Sequence, residues 1–424
     1  MAGLDKLLSD SLDRLSRANR ETRKGQRASP VARALFRALA WIIGAFARKG
    51  SLRLNYRGLD EIEFGDGTGP RFMVRLNSLR TIFRIIRSPE LGCGESYMDE
   101  GWVLEQGDLG GFLKMMCRNQ DAANESIPGA ALRGATDLLF RDRRNNPRKS
   151  RRNVAHHYDI GNDLYEGFLD EGMNYSCAFF AEPDQALRDA QLNKLRITID
   201  RLAIPQGARV LDIGSGWGEL TRLIASDTGA SHVTGVTLAE TQHDLARRRA
   251  AEMPGNRPEY RLVDYRIHAA DNPAAYDRIV SIGMFEHVGA KHFVEYFDAV
   301  RRMLSDDGQA LIHTIMRQRR CETSPWFQKY IFPGGYIPTL EDTVAAAREA
   351  GLELAHEPYI HESFHYAETL RRWRRNFNEA WPELDPSRYD PRFRRMWNFY
   401  LAGSEAGFDE NGMYVGQLLL RKAV

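Results

Sequence analysis

The stretch Arg209–Glu219, RVLDIGSGWGE, constrains the fold more than any other part of the chain. Val210, Leu211 and Ile213 read as a buried strand, and three glycines, Gly214, Gly216 and Gly218, lead straight into a helix. Glycine lacks a Cβ and tolerates positive φ, so such a backbone turns sharply and lies flat against a ligand. In an open α/β sheet that ligand sits beyond the carboxyl ends of the strands, where this loop falls. The spacing is G-x-G-x-G rather than the G-x-G-x-x-G of dinucleotide folds, and no lysine follows as in a P-loop.

The sequence after residue 153 continues as this loop requires, with alternating strand and helix patterns. Strands are expected at Arg209–Ile213, His232–Thr237, near Glu259–Val263, at Arg278–Ile282 and at Ala310–Ile315, with helices at Leu220–Asp227 and Val294–Leu304. Strands joined by helical crossovers pair in parallel. The expected class is α/β, a doubly wound Rossmann-like domain over 153–424. Ahead of it the pattern predicts a polar arm over 1–30 and a smaller α+β domain over 31–140. That domain takes an amphipathic helix, the alternating stretches SLRLNYRG and RFMVRL, and a helical patch at Gly107–Arg118. The run RDRRNNPRKSRR, Arg141–Arg152, is expected as a basic linker.

Composition excludes some functions. A chain of 424 residues is long enough for two cores. The cysteines Cys93, Cys117, Cys177 and Cys321 form no C-x-x-C pair, which argues against a zinc or other metal site and fits a reducing, cytoplasmic setting. The N-terminus carries no signal-peptide pattern. The early apolar run Ala38–Ala47, closed by Arg37 and Arg48, is about half the length of a membrane-spanning helix. Basic and aromatic residues occur together, but no nucleic-acid motif accompanies them.

The strand ends indicate what binds. Where nucleotide-binding sheets place an acid for the ribose, this chain has Thr237, Leu238 and, a turn later, Gln242; uncharged groups take that role unless Glu240 bends in. Asp264-Tyr265-Arg266 after the third strand is placed to bracket an adenine ring. With Asp212 before the glycine loop, the set points to S-adenosylmethionine and a class I methyltransferase domain. GMFEHVG sets Glu286 and His287 at the end of the fourth strand, and LIHTI sets His313 in the same row. A glutamate and a histidine beside a cofactor site are candidates for chemistry. The aromatic-rich segment AHHYDIGNDLYEGFLDEGMNYSC is expected to form a lid.

HHYDIGNDLY, MNYSCAFF, VLDIGSGWGE, GVTLAETQ, SIGMFEHVG, LIHTI, YIFPGGYIP and ESFHYAETLRRW, in this order, resemble the cyclopropane-fatty-acyl-phospholipid synthase family. Gly92–Leu113 resembles the N-terminal domain of its bacterial lipid enzymes. The resemblance implies transfer of a methylene group from S-adenosylmethionine to the cis double bond of an unsaturated phospholipid acyl chain, through a carbocation deprotonated by a bound bicarbonate ion. It implies a bicarbonate cradle of Cys177, Glu286, His313, Tyr366 and the backbone N–H of Ile315. For the cofactor it implies Tyr175 and Ser176 at the methionine end, Gly214, Gly216, Trp217 and Gly218 in the loop, Thr237 and Gln242 at the ribose, and Tyr265 with Arg266 around the adenine. One position departs from the pattern: relatives often carry a cysteine in the segment Phe399–Phe408, and this chain has Ser404, so packing or acyl-channel lining is expected there.

Because the alkene lies inside a bilayer, reversible contact with the inner face of a membrane is expected through Val31–Lys49, Arg141–Arg152, LRRWRRNF and RFRRMW. A homodimer is implied by the bacterial relatives. Two rival outcomes remain: the same transfer ending in a methyl- or methylene-branched chain, and a small-molecule N- or C-methyltransferase.

Overall fold

The computed structural model describes residues 29–56, 59, 61–120 and 161–423. The polar arm up to residue 28, the basic run Arg141–Arg152 and the start of the expected lid lie outside the described residues. The chain forms two compact units. One takes the described residues up to 120 together with Ser324–Tyr330 and Asp385–Asn411; the other takes 161–323, Ile331–Leu384 and 412–423.

The first unit opens with α1 (Pro30–Phe46), started by the Ser29 hydroxyl, which accepts from the Ala32 N–H, and by a proline in the first turn. Strands β1 (Ser51–Tyr56), β2 (Ile62–Phe64), β3 (Arg71–Leu76) and β4 (Trp102–Gln106) form a sheet in the order β2-β1-β3-β4. The alternation legible in SLRLNY and RFMVRL is the reason: Leu52, Leu54, Tyr56, Phe72, Val74 and Leu76 are buried, and their neighbours are not. Helices α2 (Leu79–Arg87), α3 (Pro89–Met98) and α4 (Leu109–Arg118) complete the N-terminal part. Two later helices join it. Trp326 of the helix Pro325–Tyr330 is fully buried and donates from Nε1 to Met98 Sδ at 3.3 Å, over Gly94, where any Cβ would fall 2.3 Å from the indole. The helix Pro391–Glu410 buries Glu405, which pairs with Lys114 at 2.9 Å. No pattern in the sequence marked these two segments as partners of the N-terminal part.

The second unit is the doubly wound domain. Its helices are α5 (Asn162–Phe168), α6 (Leu187–Leu202), α7 (Glu219–Asp227), α8 (Glu240–Ala251), α9 (Tyr265–Asp271), α10 (Phe293–Met303), α11 (Leu340–Glu349) and α12 (Ser363–Ala380). Its strands β5 (Arg209–Ile213), β6 (His232–Thr237), β7 (Glu259–Leu262), β8 (Tyr276–Ile282), β9 (Leu304–Arg317), β10 (Leu352–Leu354), β11 (Tyr359–His361) and β12 (Met413–Lys422) form one sheet, in the order β10-β12-β9-β8-β5-β6-β7 with β11 against β12. The five expected strands pair in parallel. Side chains alternate between two cores, Leu211, Ile279 and Ile312 on one face and Val210, Val280 and Leu311 on the other.

Three strands of this sheet, β10, β11 and β12, went unread in the sequence. β12 runs antiparallel to β9 from Met413 opposite Arg317 to Arg421 opposite Gln309, and β9 is correspondingly longer than the expected Ala310–Ile315. The strand order reverses between β5 and β8, which is where open α/β sheets bind ligands.

Candidate functional site

The glycine loop caps β5 at that reversal. Gly214 and Gly218 both hold φ at +83°, in the left-handed region. A Cβ on Gly218 would sit 2.3 Å from Tyr260 Oη, which donates to the Gly218 carbonyl at 3.0 Å; one on Gly214 would sit 2.9 Å from Met284. At Gly214 and Gly218 the loop thus packs too closely on its neighbours for a side chain.

Tyr175, Ser176, Asp212, Gly214, Gly216, Trp217, Gly218, Thr237, Leu238, Gln242, Tyr265 and Arg266 all line one cavity beside this loop. Thr237 Oγ1 donates to Gln242 Oε1 at 3.1 Å and both are buried, whereas Glu240 is exposed on the first turn of α8. Asp264 caps α9 and takes the Arg266 guanidinium at 2.8 and 2.7 Å. Trp217 Nε1 donates to Asn162 Oδ1 at 3.0 Å, and the Tyr175 ring packs 5.3 Å from Tyr165 and 5.1 Å from Trp373. Burial pushes the Asp212 carboxyl up to about 7, against the opposing pull of Thr221 and Lys194.

Several cavity residues were missed. Lys194 is buried and donates from Nζ to Ser176 Oγ at 3.0 Å; burial pushes its ammonium down to about 8, although Asp170 and Asp212 favour the charge. The signal was there: Gln191, Lys194 and Thr198 fall at helical spacing on the same buried stripe of α6 as Leu195 and Leu202. His287, placed at the strand end by the sequence but given no role there, also lines the cavity, and burial brings its imidazole down to about 4. Glu219, at the start of α7, holds Arg188 at 2.6 Å and also pairs with Arg222.

The candidates for chemistry adjoin this cavity without lining it. Glu286 lies between the lining residues Met284 and His287, and Cys177 follows Ser176. Glu286 Oε1 accepts from the Ile315 N–H at 2.6 Å, so that N–H is engaged by the protein's own carboxyl. Glu286 Oε2 is buried with no hydrogen-bond partner among the described residues, and desolvation pushes the carboxyl up to about 7. His313, two residues before Ile315 on β9, is buried and held far below the ordinary imidazole range by desolvation, so it is neutral. The Cys177 thiol donates to the Ala178 carbonyl at 3.2 Å, and burial pushes its pKa up, away from a thiolate.

Tyr366 sits on α12, edge-on to Trp373 at 6.2 Å. The same helix pins the Cys177 segment: Ala178 N donates to Thr369 Oγ1 at 3.0 Å and Phe180 N to His365 Nδ1 at 3.2 Å. The contacts thus join Glu286 to Ile315, with His313 close by on the same strand, and tie the Cys177 segment to the helix of Tyr366. Ser404 lies half-buried on the helix Pro391–Glu410 of the first unit. Among the described residues no cluster of His, Cys, Asp or Glu is arranged for a metal ion.

These protonation states make a stability prediction. Glu286 and Asp212 titrate near 7 when folded, against about 4 for carboxyls of an unfolded chain. Between those values the unfolded chain has lost protons that the folded one keeps. The stability these groups contribute is therefore complete below about pH 4 and lost as pH rises through about 7. Glu286→Gln should gain up to about 3 kcal/mol on the parent between about pH 4 and pH 8 in urea unfolding; parallel pH profiles would contradict this assignment.

A model of the family described as mycolic acid cyclopropane synthetase matches residues 145–418. The chain is 35% identical over 350 residues to cyclopropane-fatty-acyl-phospholipid synthase of Escherichia coli (strain K12), covering 80% of this chain and 85% of that one. It is 37% identical over 356 residues to tuberculostearic acid methyltransferase UfaA1 of Mycobacterium tuberculosis, covering 80% of each. Among solved structures, mycolic acid cyclopropane synthase CmaA1 complexed with SAH and CTAB superposes with a TM-score of 0.59 at 28% identity, covering 64% of this chain and 98% of that one.

Proposed function

The chain belongs to the mycolic acid cyclopropane synthetase family and is an S-adenosylmethionine-dependent methyltransferase, and from that premise we propose that it closes a cyclopropane ring on the cis double bond of an unsaturated phospholipid acyl chain. One observation carries the chemistry: a buried carboxyl, Glu286, beside the cavity, with its second oxygen unpartnered among the described residues.

An alkene has no proton to lose before it attacks, so the site need not activate it. It must shield a carbocation from water and remove a proton afterwards. Burial of Cys177 and His313 provides the dry surroundings, and the ring of Tyr175, which lines the cavity, provides a π-face able to stabilise positive charge. A protonated Glu286, a thiol and a neutral imidazole make a set of donors that suits a small anion. With those donors, the residues present fit a bound bicarbonate. When bound, S-adenosylmethionine supplies the methyl group and bicarbonate the base. Ile315 fixes Glu286 through Oε1, leaving Oε2–H to donate into the site.

No described helix is long and apolar enough to cross a membrane. The proposed contact with the membrane surface runs through α1, where Trp41 is 65% exposed and shares its outward face with exposed Arg33 and Arg37. Arg33→Gln and Arg37→Gln should each weaken sedimentation with anionic vesicles about fivefold at low salt. Unchanged binding would remove α1 from the docking surface.

The 37% identity to a protein named a methyltransferase rather than a cyclopropane synthase favours a second reading, in which the same transfer ends in a branched chain. Incubation with methyl-labelled cofactor and phospholipid vesicles tests what both share. Label should enter cis-unsaturated lipid and not saturated lipid; label in neither would defeat the lipid reading.

A further inference from the structure

Gln417 belongs to no motif, yet it decides how His313 is protonated. It lies on β12 directly opposite His313 of β9, and it is buried. Its amide oxygen faces Arg201 Nη1 at 2.8 Å, and its amide nitrogen lies 3.2 Å from Thr198 Oγ1 and 3.1 Å from His313 Nδ1. Amide orientation and imidazole tautomer are inferred from their partners, and these partners leave one solution. A guanidinium only donates, so the amide atom facing Arg201 must be oxygen. The Thr198 hydroxyl spends its proton on the Lys194 carbonyl at 2.8 Å, so it meets the amide as an acceptor. The amide nitrogen therefore donates to both Thr198 and His313, and His313 Nδ1 must be the bare nitrogen.

The groups with charge facing His313 are Lys194 and Arg201, and the remaining titratable neighbour is His361, whose ring centre is 5.4 Å away. Both cations oppose a second proton on the ring. A neutral imidazole carries one proton, and here it must sit on Nε2. Arg201 is itself braced, with its guanidinium carbon 3.2 Å from the centre of the Tyr359 ring.

We propose that Gln417, clamped by Arg201, locks His313 as its Nε2–H tautomer, so that His313 serves as a hydrogen-bond donor to an anion at the reaction centre and not as the base. Both are positioning residues, acting through His313. The donor role rests on the reading of the site given under Proposed function, whereas the tautomer is observable without turnover.

Nitrogen-15 NMR of the full chain with labelled histidine, His313 being identified by its loss in His313→Asn, reads the tautomer directly. The parent should show the proton on Nε2. In Gln417→Glu the carboxylate accepts instead of donating, which should move the proton to Nδ1 and lower kcat about a hundredfold while cofactor affinity stays within about twofold. Arg201→Leu frees the amide to turn and should give a mixture of tautomers with an intermediate kcat. An Nδ1–H or doubly protonated His313 in the parent would overturn the lock, and a shifted tautomer with unchanged kcat would overturn the donor role. An Nε2–H parent that places no label in unsaturated lipid would put the failure in the proposed reaction, leaving the lock standing and the donor role refuted.

Discussion

Glu286→Ala is expected to lower kcat about a thousandfold while cofactor affinity, measured by titration calorimetry, stays within about twofold. The two effects separate because Glu286 lies outside the residues lining the cavity, between two that do line it. Alanine removes the acceptor that holds the Ile315 N–H and the only carboxyl in the set of donors around Cys177 and His313. Oε2, buried with no hydrogen-bond partner among the described residues, is the reason for expecting a large effect. A buried polar atom without a partner destabilises the fold by about 1–3 kcal/mol, and one retained beside a ligand cavity is best explained by a ligand. Equal losses of turnover and cofactor affinity would show that Glu286 serves the cofactor and not the reaction.

Gly218→Ala should destabilise the protein by about 3 kcal/mol, against about 1 kcal/mol for Gly216→Ala. Both glycines hold positive φ, +83° and +54°, so an added Cβ strains the backbone in either case. Only at Gly218 does it also overlap a neighbour, Tyr260 Oη at 2.3 Å; at Gly216 nothing lies within 4 Å. Tyr260 is buried and donates to the Gly218 carbonyl, so relief requires breaking that bond and shifting the loop away from β7. Urea unfolding of the cofactor-free protein separates the two costs. Equal destabilisation would mean that Tyr260 moves freely and that the loop is not held by packing.

Local patterning made the parallel sheet and its glycine loop legible, because short apolar strand runs and a three-glycine turn are written in contiguous residues. The residues lining the cavity were legible for the same reason, since Thr237 closes β6 and Tyr265 lies just beyond β7. Pairings between distant segments were not. β12 reads as an ordinary apolar run, and only its register against β9 sets Gln417 opposite His313. Lys194 hides in a helix whose polar residues look like an imperfect stripe until the pocket explains them. The Ile315 N–H, expected to face an anion, is occupied by Glu286, a contact that depends on the depth of one turn after β8. Helix Pro391–Glu410 carries an amphipathic pattern that names no partner; its grouping with the N-terminal unit appears only in three dimensions.

The most direct test of the central claim uses cofactor whose methyl group is fully deuterated, with vesicles of a cis-monounsaturated phospholipid, followed by catalytic hydrogenation and mass spectrometry of the acyl chains. Removal of one proton from the added methyl leaves two deuterium atoms, and a ring resists hydrogenation. The account predicts a chain that carries both deuteriums and survives hydrogenation unchanged. A chain that keeps all three, one that takes up hydrogen, or lipid without label would contradict it.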